Sequence, residues 1–232
     1  WLLGKHRLMC GDSTNADSVK ALWADLMPHL TITDPPYGIG YSYDDYDDGN
    51  SEDNARLVDD VFALCTTSKV YTPGLMNLRR EVNRYPEAKV AVWYKKFAAA
   101  GNGLGGASTW EPIIIESPMA KSLKNDVLQI MTDRVQVDGK SLRDLHSCPK
   151  PADLYKELME SFSRAGDVCY EPFSGSGTTI IAGEMTGRCI YAMELSPAYV
   201  DVAVKRWQDF TGEKAKLEDS GQYFPSIKAD AA

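Results

Sequence analysis

Short apolar runs of strand-forming residues alternate along the chain with longer stretches whose apolar positions recur at helical spacing. A β-rich run of four to six residues buries a flat surface, whereas a repeat near 3.6 residues buries one stripe of a cylinder. Strands are expected near Arg7 to Cys10, Leu30 to Thr33, Lys69 to Tyr71, Lys89 to Tyr94, Pro112 to Ile115, Asp167 to Tyr170 and Cys189 to Met193. Helices are expected over Ser18 to Leu26, Ala55 to Leu64, Met76 to Tyr85, Ala152 to Arg164, Thr178 to Thr186 and Pro197 to Phe210. In the fourth of these, Leu154, Leu158 and Phe162 recur every four residues and form one buried face. The alternation implies α/β architecture, a parallel sheet with crossover helices. Ser117 to Leu145 breaks the pattern with mixed charge and weak periodicity, so it reads as an insertion, and the polar tail after Gly212 reads as a frayed terminus.

Two loops interrupt this pattern with unusual chemistry. Thr33-Asp34-Pro35-Pro36-Tyr37-Gly38 follows the apolar run Leu30-Thr31-Ile32. Consecutive prolines have no N–H to give to a sheet ladder, so the chain must leave the sheet there. What leaves is a carboxylate, free proline carbonyls and an aromatic ring, at the strand end where open α/β sheets bind ligands. Asp34 and the Pro35 carbonyl could each accept one N–H of a planar amine, with Tyr37 stacked on its ring; the competing reading is a tight turn with a packed tyrosine. The second loop is Tyr170-Glu171-Pro172-Phe173-Ser174-Gly175-Ser176-Gly177-Thr178-Thr179, again between a strand and a helix. Gly175 and Gly177 allow a tight turn and close approach of a ligand to the backbone. It lacks the Gly-Lys-Ser/Thr of a P-loop, and Ile180 stands where a dinucleotide fingerprint has its third glycine. Glu194 closes the next strand, at about the 20-residue spacing from which a carboxylate reaches ribose hydroxyls; the alternative is that Glu194 caps the helix beginning near Pro197.

Composition narrows the class. The chain has 232 residues, 44% hydrophobic and 25% charged, enough for one well-packed domain over 1–232 with 117–145 inserted. Cys10, Cys65, Cys148, Cys169 and Cys189 contain no CxxC pair, which argues against a zinc site or disulfide framework and for a reducing, cytoplasmic setting. No apolar run approaches the roughly 20 residues of a membrane span, and the first residues lack the order of a signal peptide. The chain opens on Trp1, as a segment of a longer polypeptide would. A net charge of −8 argues against unspecific coating of nucleic acid, although Arg79, Arg80, Arg84, Lys89, Lys95 and Lys96 gather locally and Asp44, Asp45, Asp47 and Asp48 carry acidic excess elsewhere.

Asp-Pro-Pro-Tyr and Glu-Pro-Phe-Ser-Gly-Ser-Gly-Thr-Thr in one chain resemble the catalytic and cofactor motifs of S-adenosylmethionine-dependent amino-methyltransferases acting on DNA. Because the catalytic motif comes first, the order resembles the circularly permuted beta group of that family. The resemblance implies a three-layer, Rossmann-like methyltransferase fold with a mostly parallel seven-stranded sheet. It implies catalytic roles for Asp34, Pro35, Pro36 and Tyr37, and cofactor contacts from Glu171, Phe173, Ser174, Gly175, Ser176, Gly177, Thr178 and Glu194. Asp12, in Leu8-Met9-Cys10-Gly11-Asp12, would meet the cofactor adenine. Lys150, in His146-Ser147-Cys148-Pro149-Lys150-Pro151, would line the methionine end, while Ala91-Val92-Trp93-Tyr94-Lys95 and Trp110-Glu111-Pro112-Ile113-Ile114 resemble strands flanking the target base. Two departures stand out: Glu171 replaces the usual Asp, and the insertion at the expected target-recognition position is short. The implied reaction is methylation of adenine N6 in DNA, on a base flipped from the duplex, with the glycine-rich loop Phe97 to Thr109 closing around it. Either recognition is loose, or a second domain, subunit or copy would supply it, in a bacterial or phage cytoplasm. Cytosine N4 methylation and a non-catalytic cofactor-binding subunit are the alternatives.

Overall fold

The computed structural model describes residues 1–24, 26–38, 51–66, 68–95, 108–117, 123–130, 136–137, 140–141 and 150–225. The loop 96–107, the acidic cluster Asp44 to Asp48 and His146 to Pro149 lie outside the described residues. In chain order the strands are β1 (Leu2–Leu3), β2 (His6–Cys10), β3 (Leu30–Thr33), β4 (Lys69–Tyr71), β5 (Lys89–Tyr94), β6 (Trp110–Glu116), β7 (Val127–Gln129), β8 (Gln136–Val137), β9 (Lys140–Ser141), β10 (Val168–Glu171) and β11 (Cys189–Glu194). The helices are α1 (Ala16–Trp23), α2 (Ser51–Leu64), α3 (Leu78–Arg84), α4 (Ala152–Phe162), α5 (Thr178–Thr186) and α6 (Pro197–Thr211), with a 3-10 turn over Leu75–Asn77.

The main sheet runs β1-β2-β11-β10-β3-β4-β6-β5-β7. Every expected strand is present, but the sheet has nine strands where seven were expected: β1 pairs antiparallel to β2 at one edge, and β7, inside the supposed insertion, pairs with β5 at the other. Five of the eight neighbouring pairs are parallel, so the sheet is mostly parallel. Strands from both ends of the chain interleave, with β10 and β11 lying between β2 and β3.

Alternation along the strands assigns residues to two faces. Leu30, Ile32, Cys169 and Ile190 point into a core shared with Leu154 and Leu158 of α4, Ile180 of α5 and Trp207 of α6. Tyr170 and Met193 point to the other face, onto Val19 and Leu22 of α1, while Tyr71 and Ile114 meet Val58 and Val61 of α2. Helices on both faces make three layers. The tail departs from expectation. Ala215 is fully buried, Lys216 bridges to Leu2, and Phe224 packs edge-on against Trp1 with ring centroids 5.1 Å apart, so residues 213–225 are docked on β1 rather than frayed.

The packing of α5 on the sheet tolerates no side chain at Gly183. His6 is buried beneath it, accepting from the Ile190 amide through Nδ1 at 2.9 Å, with Nε2 3.0 Å from Glu184, and burial holds its imidazole down at about 4. A Cβ at Gly183 would lie 2.4 Å from Ile190 Cγ1 and 2.9 Å from His6 Cε1. Gly183→Ala therefore sets a helix-propensity gain of about 1 kcal/mol against an overpacking cost of about 1–3 kcal/mol. Contacts this short make the cost win, so urea denaturation should show a net loss of stability; unchanged or increased stability would mean that α5 can ride up off β11.

Candidate active site

The parallel neighbours β3 and β10 pair Leu30 with Cys169 and Thr31 with Tyr170, so the two unusual loops leave the sheet side by side. The Thr33 hydroxyl donates to Glu171 across this seam. On the other side of β10, β11 pairs in turn with β2, placing Glu194 opposite Cys10. Asp12, Glu194, the glycine turn and Asp34 thus stand at the carboxyl ends of four consecutive parallel strands. At about 4.8 Å between strands, the row spans roughly 14 Å.

The double-proline loop is built around the Asp34 carboxylate. Oδ1 accepts from the Tyr37 hydroxyl at 2.6 Å and the Thr72 hydroxyl at 2.5 Å, and Oδ2 accepts from Lys150 Nζ at 2.8 Å. Lys150 also donates to the Tyr37 hydroxyl at 2.8 Å and lies 3.2 Å from Glu111, which in turn binds Lys95 at 2.6 Å. Burial pushes the Glu111 carboxyl up, but the ammonium groups of Lys150 and Lys95 outweigh it and hold the carboxyl below its ordinary range. Tyr37 is seated against Gly74, whose φ is +74° and where a Cβ would stand 2.9 Å from the ring. Asn77 Nδ2 donates to the Tyr37 and Pro73 carbonyls, both at 2.9 Å. Burial, and after it the Asp34 charge, raises the Tyr37 hydroxyl well above the usual phenol range, so it is a donor.

The glycine turn has Gly175 at φ +50° and Gly177 at +75°. Glu194 organises it: Oε2 accepts from the Gly175 amide at 2.7 Å and Oε1 from the Ser196 amide at 2.9 Å, ahead of α6. One carboxylate thus bridges the glycine turn and the residue preceding α6 through backbone amides. Ser176 and Thr178 face inward, where their oxygens accept from the buried Arg206 at 3.3 and 2.7 Å. The Ser174 and Thr179 hydroxyls are buried without a hydrogen-bond partner among the described residues. Asp12 is exposed, and its Oδ1 accepts from the Thr14 amide and hydroxyl, both at 2.8 Å. Phe173 is half-buried and packs with the cluster around Tyr71 and Ile114.

A family profile described as DNA methylase, N6_N4_Mtase, matches residues 28–205. The chain belongs to this DNA methylase family. The match includes both unusual loops, Lys150 and Glu194, and leaves Asp12 outside. Among curated relatives, the type II methyltransferase M.HinfI of Haemophilus influenzae is 32% identical over 91 residues, 39% of this chain and 25% of that protein. M1.MboII of Moraxella bovis is 34% identical over 68 residues, 29% of this chain and 26% of that protein. The chain thus spans about a quarter of the length of these two relatives in the aligned region. Among solved structures, the M1.HpyAVI–SAM complex matches at a TM-score of 0.63 with 16% identity, over 86% of this chain and 98% of that one. The cytosine-N4-specific PvuII DNA methyltransferase matches at 0.63 with 16% identity, over 86% and 85%. These likenesses show the same fold.

Sequence reading of this chain missed Thr72, Gly74 and Asn77, and placed Lys95 and Glu111 only within strands flanking the target base. Thr72-Pro73-Gly74 follows β4 at the same carboxyl edge as Asp34, and that position was the available signal. Nothing in the pattern pointed to Arg206. The basic cluster is not one uncommitted patch: Arg80 binds Glu81, Arg84 pairs with Asp59, and Lys95 with Glu111.

Burial pushes the Glu171 carboxyl up to about 8; the Thr33 hydroxyl and Phe173 amide oppose this, and the charges of Asp34 and Glu194 add to it. A proton held more tightly in the folded protein than in the unfolded chain stabilises the fold at low pH. That contribution is complete below the ordinary value of 4.5 and is lost as pH rises through about 8. Glu171→Gln has no such titration, so in thermal melts without ligand it should gain on the wild type between about pH 5 and about pH 9. Parallel melting curves across that window would show that Glu171 ionises freely.

Proposed function

We propose that this DNA methylase transfers a methyl group from S-adenosylmethionine to the exocyclic amino group of adenine, N6, in DNA. The observation that carries the reading is the adjacency of β3 and β10, which sets Asp34-Pro35-Pro36-Tyr37 beside the glycine turn. In chain order the catalytic strand precedes the cofactor strand, as in the circularly permuted group, and the described strands build one main sheet, in keeping with one catalytic domain.

The residues present fit the cofactor. Ser174 and Thr179 at the glycine turn bury hydroxyls that have no partner among the described residues, where a ligand would supply one. Asp12 would meet the adenine, Glu194 the ribose, and Glu171 with Phe173 to Thr178 the amino-acid end. When bound, S-adenosylmethionine supplies an electrophilic methyl on a sulfonium. Asp34 and the Pro35 carbonyl would accept the two N–H bonds of the target amine, drawing its nitrogen toward tetrahedral geometry and freeing a lone pair otherwise delocalised into the ring. Pro36 keeps the loop rigid, and Tyr37 offers the base an aromatic surface. Asp34 can then take the proton that the methylated nitrogen sheds. The contribution of these residues is positioning and electrostatics, with no covalent intermediate.

A base paired in duplex DNA cannot reach Asp34 at the sheet edge, so the reading requires it to be flipped out. Target recognition falls to residues 117–145, to a further domain or subunit, or to a second copy. No helix among the described residues is long and apolar enough to cross a membrane, and a bacterial or phage cytoplasm is the proposed setting. Cytosine N4 is the second reading, since the cytosine-N4-specific PvuII methyltransferase shares the fold. Asp34 favours adenine, because in the DNA amino-methyltransferases that the chain resembles the cytosine-N4 subgroup more often has Ser at this position.

Asp34→Ala should lower tritiated methyl incorporation into DNA by at least about 100-fold, while calorimetry with S-adenosylhomocysteine finds affinity within about threefold of wild type. Full activity in that variant would remove the assignment. Glu194→Ala should weaken S-adenosylhomocysteine by about 10- to 100-fold, as expected when hydrogen bonds to a charged group are lost; an unchanged affinity would dismiss its cofactor role. Mass spectrometry of nucleosides from the methylated DNA distinguishes N6-methyladenine from N4-methylcytosine.

A further inference from the structure

The residue least explained by this reading is Lys150. Resemblance placed it at the methionine end of the cofactor, yet its ammonium is bonded to the catalytic loop. It is 4% exposed and, among the described residues, reaches Asp34 Oδ2 at 2.8 Å, the Tyr37 hydroxyl at 2.8 Å and Glu111 at 3.2 Å. A buried ammonium persists only when paired and hydrogen-bonded. Among the described residues, the cluster sets two ammoniums, Lys150 and Lys95, against two carboxylates, Asp34 and Glu111.

The count of hydrogen bonds on Asp34 gives this cluster a role in the reaction. An ionised carboxylate offers about four acceptor positions. Tyr37 and Thr72 occupy two on Oδ1 and Lys150 occupies one on Oδ2, so one position remains for an incoming N–H. The donors come from three separate segments: the loop itself, the turn after β4, and the residue pair leading into α4. Together they fix the plane of the carboxylate. Lys150 alone among them brings a charge, and its ion pairs tie Asp34 to a second carboxylate, Glu111, across the site.

We propose that Lys150 is a positioning residue for methyl transfer, holding the Asp34 carboxylate in place with a single acceptor position left open by its described partners, and that Glu111, itself held by Lys95, fixes Lys150 in place. This rests on Asp34 being the acceptor of the target amino group. In this arrangement Lys150 acts on turnover and leaves the hold on the cofactor to the glycine turn, Glu194 and Asp12.

The test is steady-state methylation of DNA by the full chain, with the wild type measured first. Lys150→Ala should lower kcat on the order of 100-fold, as expected when a reacting group is misplaced by about 1 Å, with S-adenosylhomocysteine affinity within about threefold. Added ethylammonium should restore part of the lost kcat, whereas tetramethylammonium, which has no N–H, should not; Lys150→Arg should retain more activity than the alanine variant. A kcat equal to wild type, or a loss confined to cofactor affinity, overturns the proposal. Should Lys150→Ala fail to fold, Glu111→Gln takes its place: the near-isosteric change should lower kcat about tenfold, in the range for lost outer partners of a site residue, and wild-type kcat there overturns the proposal equally. A wild-type chain that methylates no DNA would instead remove the functional reading itself.

Discussion

Thr33 donates its hydroxyl to the buried Glu171, joining two loops 138 residues apart in the chain. That bond is the visible sign of a stricter constraint, the parallel pairing of β3 with β10 in the middle of the sheet. Strand spacing is fixed by backbone hydrogen bonding at about 4.8 Å, so the carboxyl ends of the two strands can only be neighbours. The proline pair then forces one chain out of the sheet, and the left-handed glycines let the other turn sharply into α5. All further chemistry at the site is arranged around this seam.

The same seam brings acidic groups together, and each meets burial differently. Glu171 sits in a closed environment with the charges of Asp34 and Glu194 nearby, and it is held toward its protonated form. Asp34 is given a cation, Lys150, and two hydroxyl donors. Glu194 spends its oxygens on backbone amides at the glycine turn and at the start of α6. Glu111 shares Lys150 and is paired a second time by Lys95. Carboxylates so close together would repel if treated alike; their separation into protonated, ion-paired and amide-bound groups is what allows the edge of the sheet to carry so much charge.

Legibility in the sequence followed how locally each feature is encoded. The central strands β3, β10 and β11 were readable because burial on two faces makes them continuous apolar runs. The edge strands β1 and β7, two and three residues long, carry too little pattern to be seen and exist through pairing with β2 and β5. The segment after Gly212 is polar by composition, yet Ala215 and Phe224 anchor it to β1. At the site, Asp34, the prolines, Tyr37 and the glycines were legible because each imposes a local backbone conformation. Thr72 and Asn77 impose none, and neither does Arg206, to which Ser176 and Thr178 hydrogen-bond.

By itself the sequence determined the α/β order, the two loops that interrupt it and the residue types able to handle an amine and a nucleoside, because strand runs, prolines and glycines act through neighbouring peptide units. Only the tertiary structure decided who touches whom across the seam. Lys150 on Asp34, Glu111 between two lysines and Gly74 beneath Tyr37 are contacts between segments far apart in the chain. Their partners are chosen by sheet order and packing, and no local pattern records that choice.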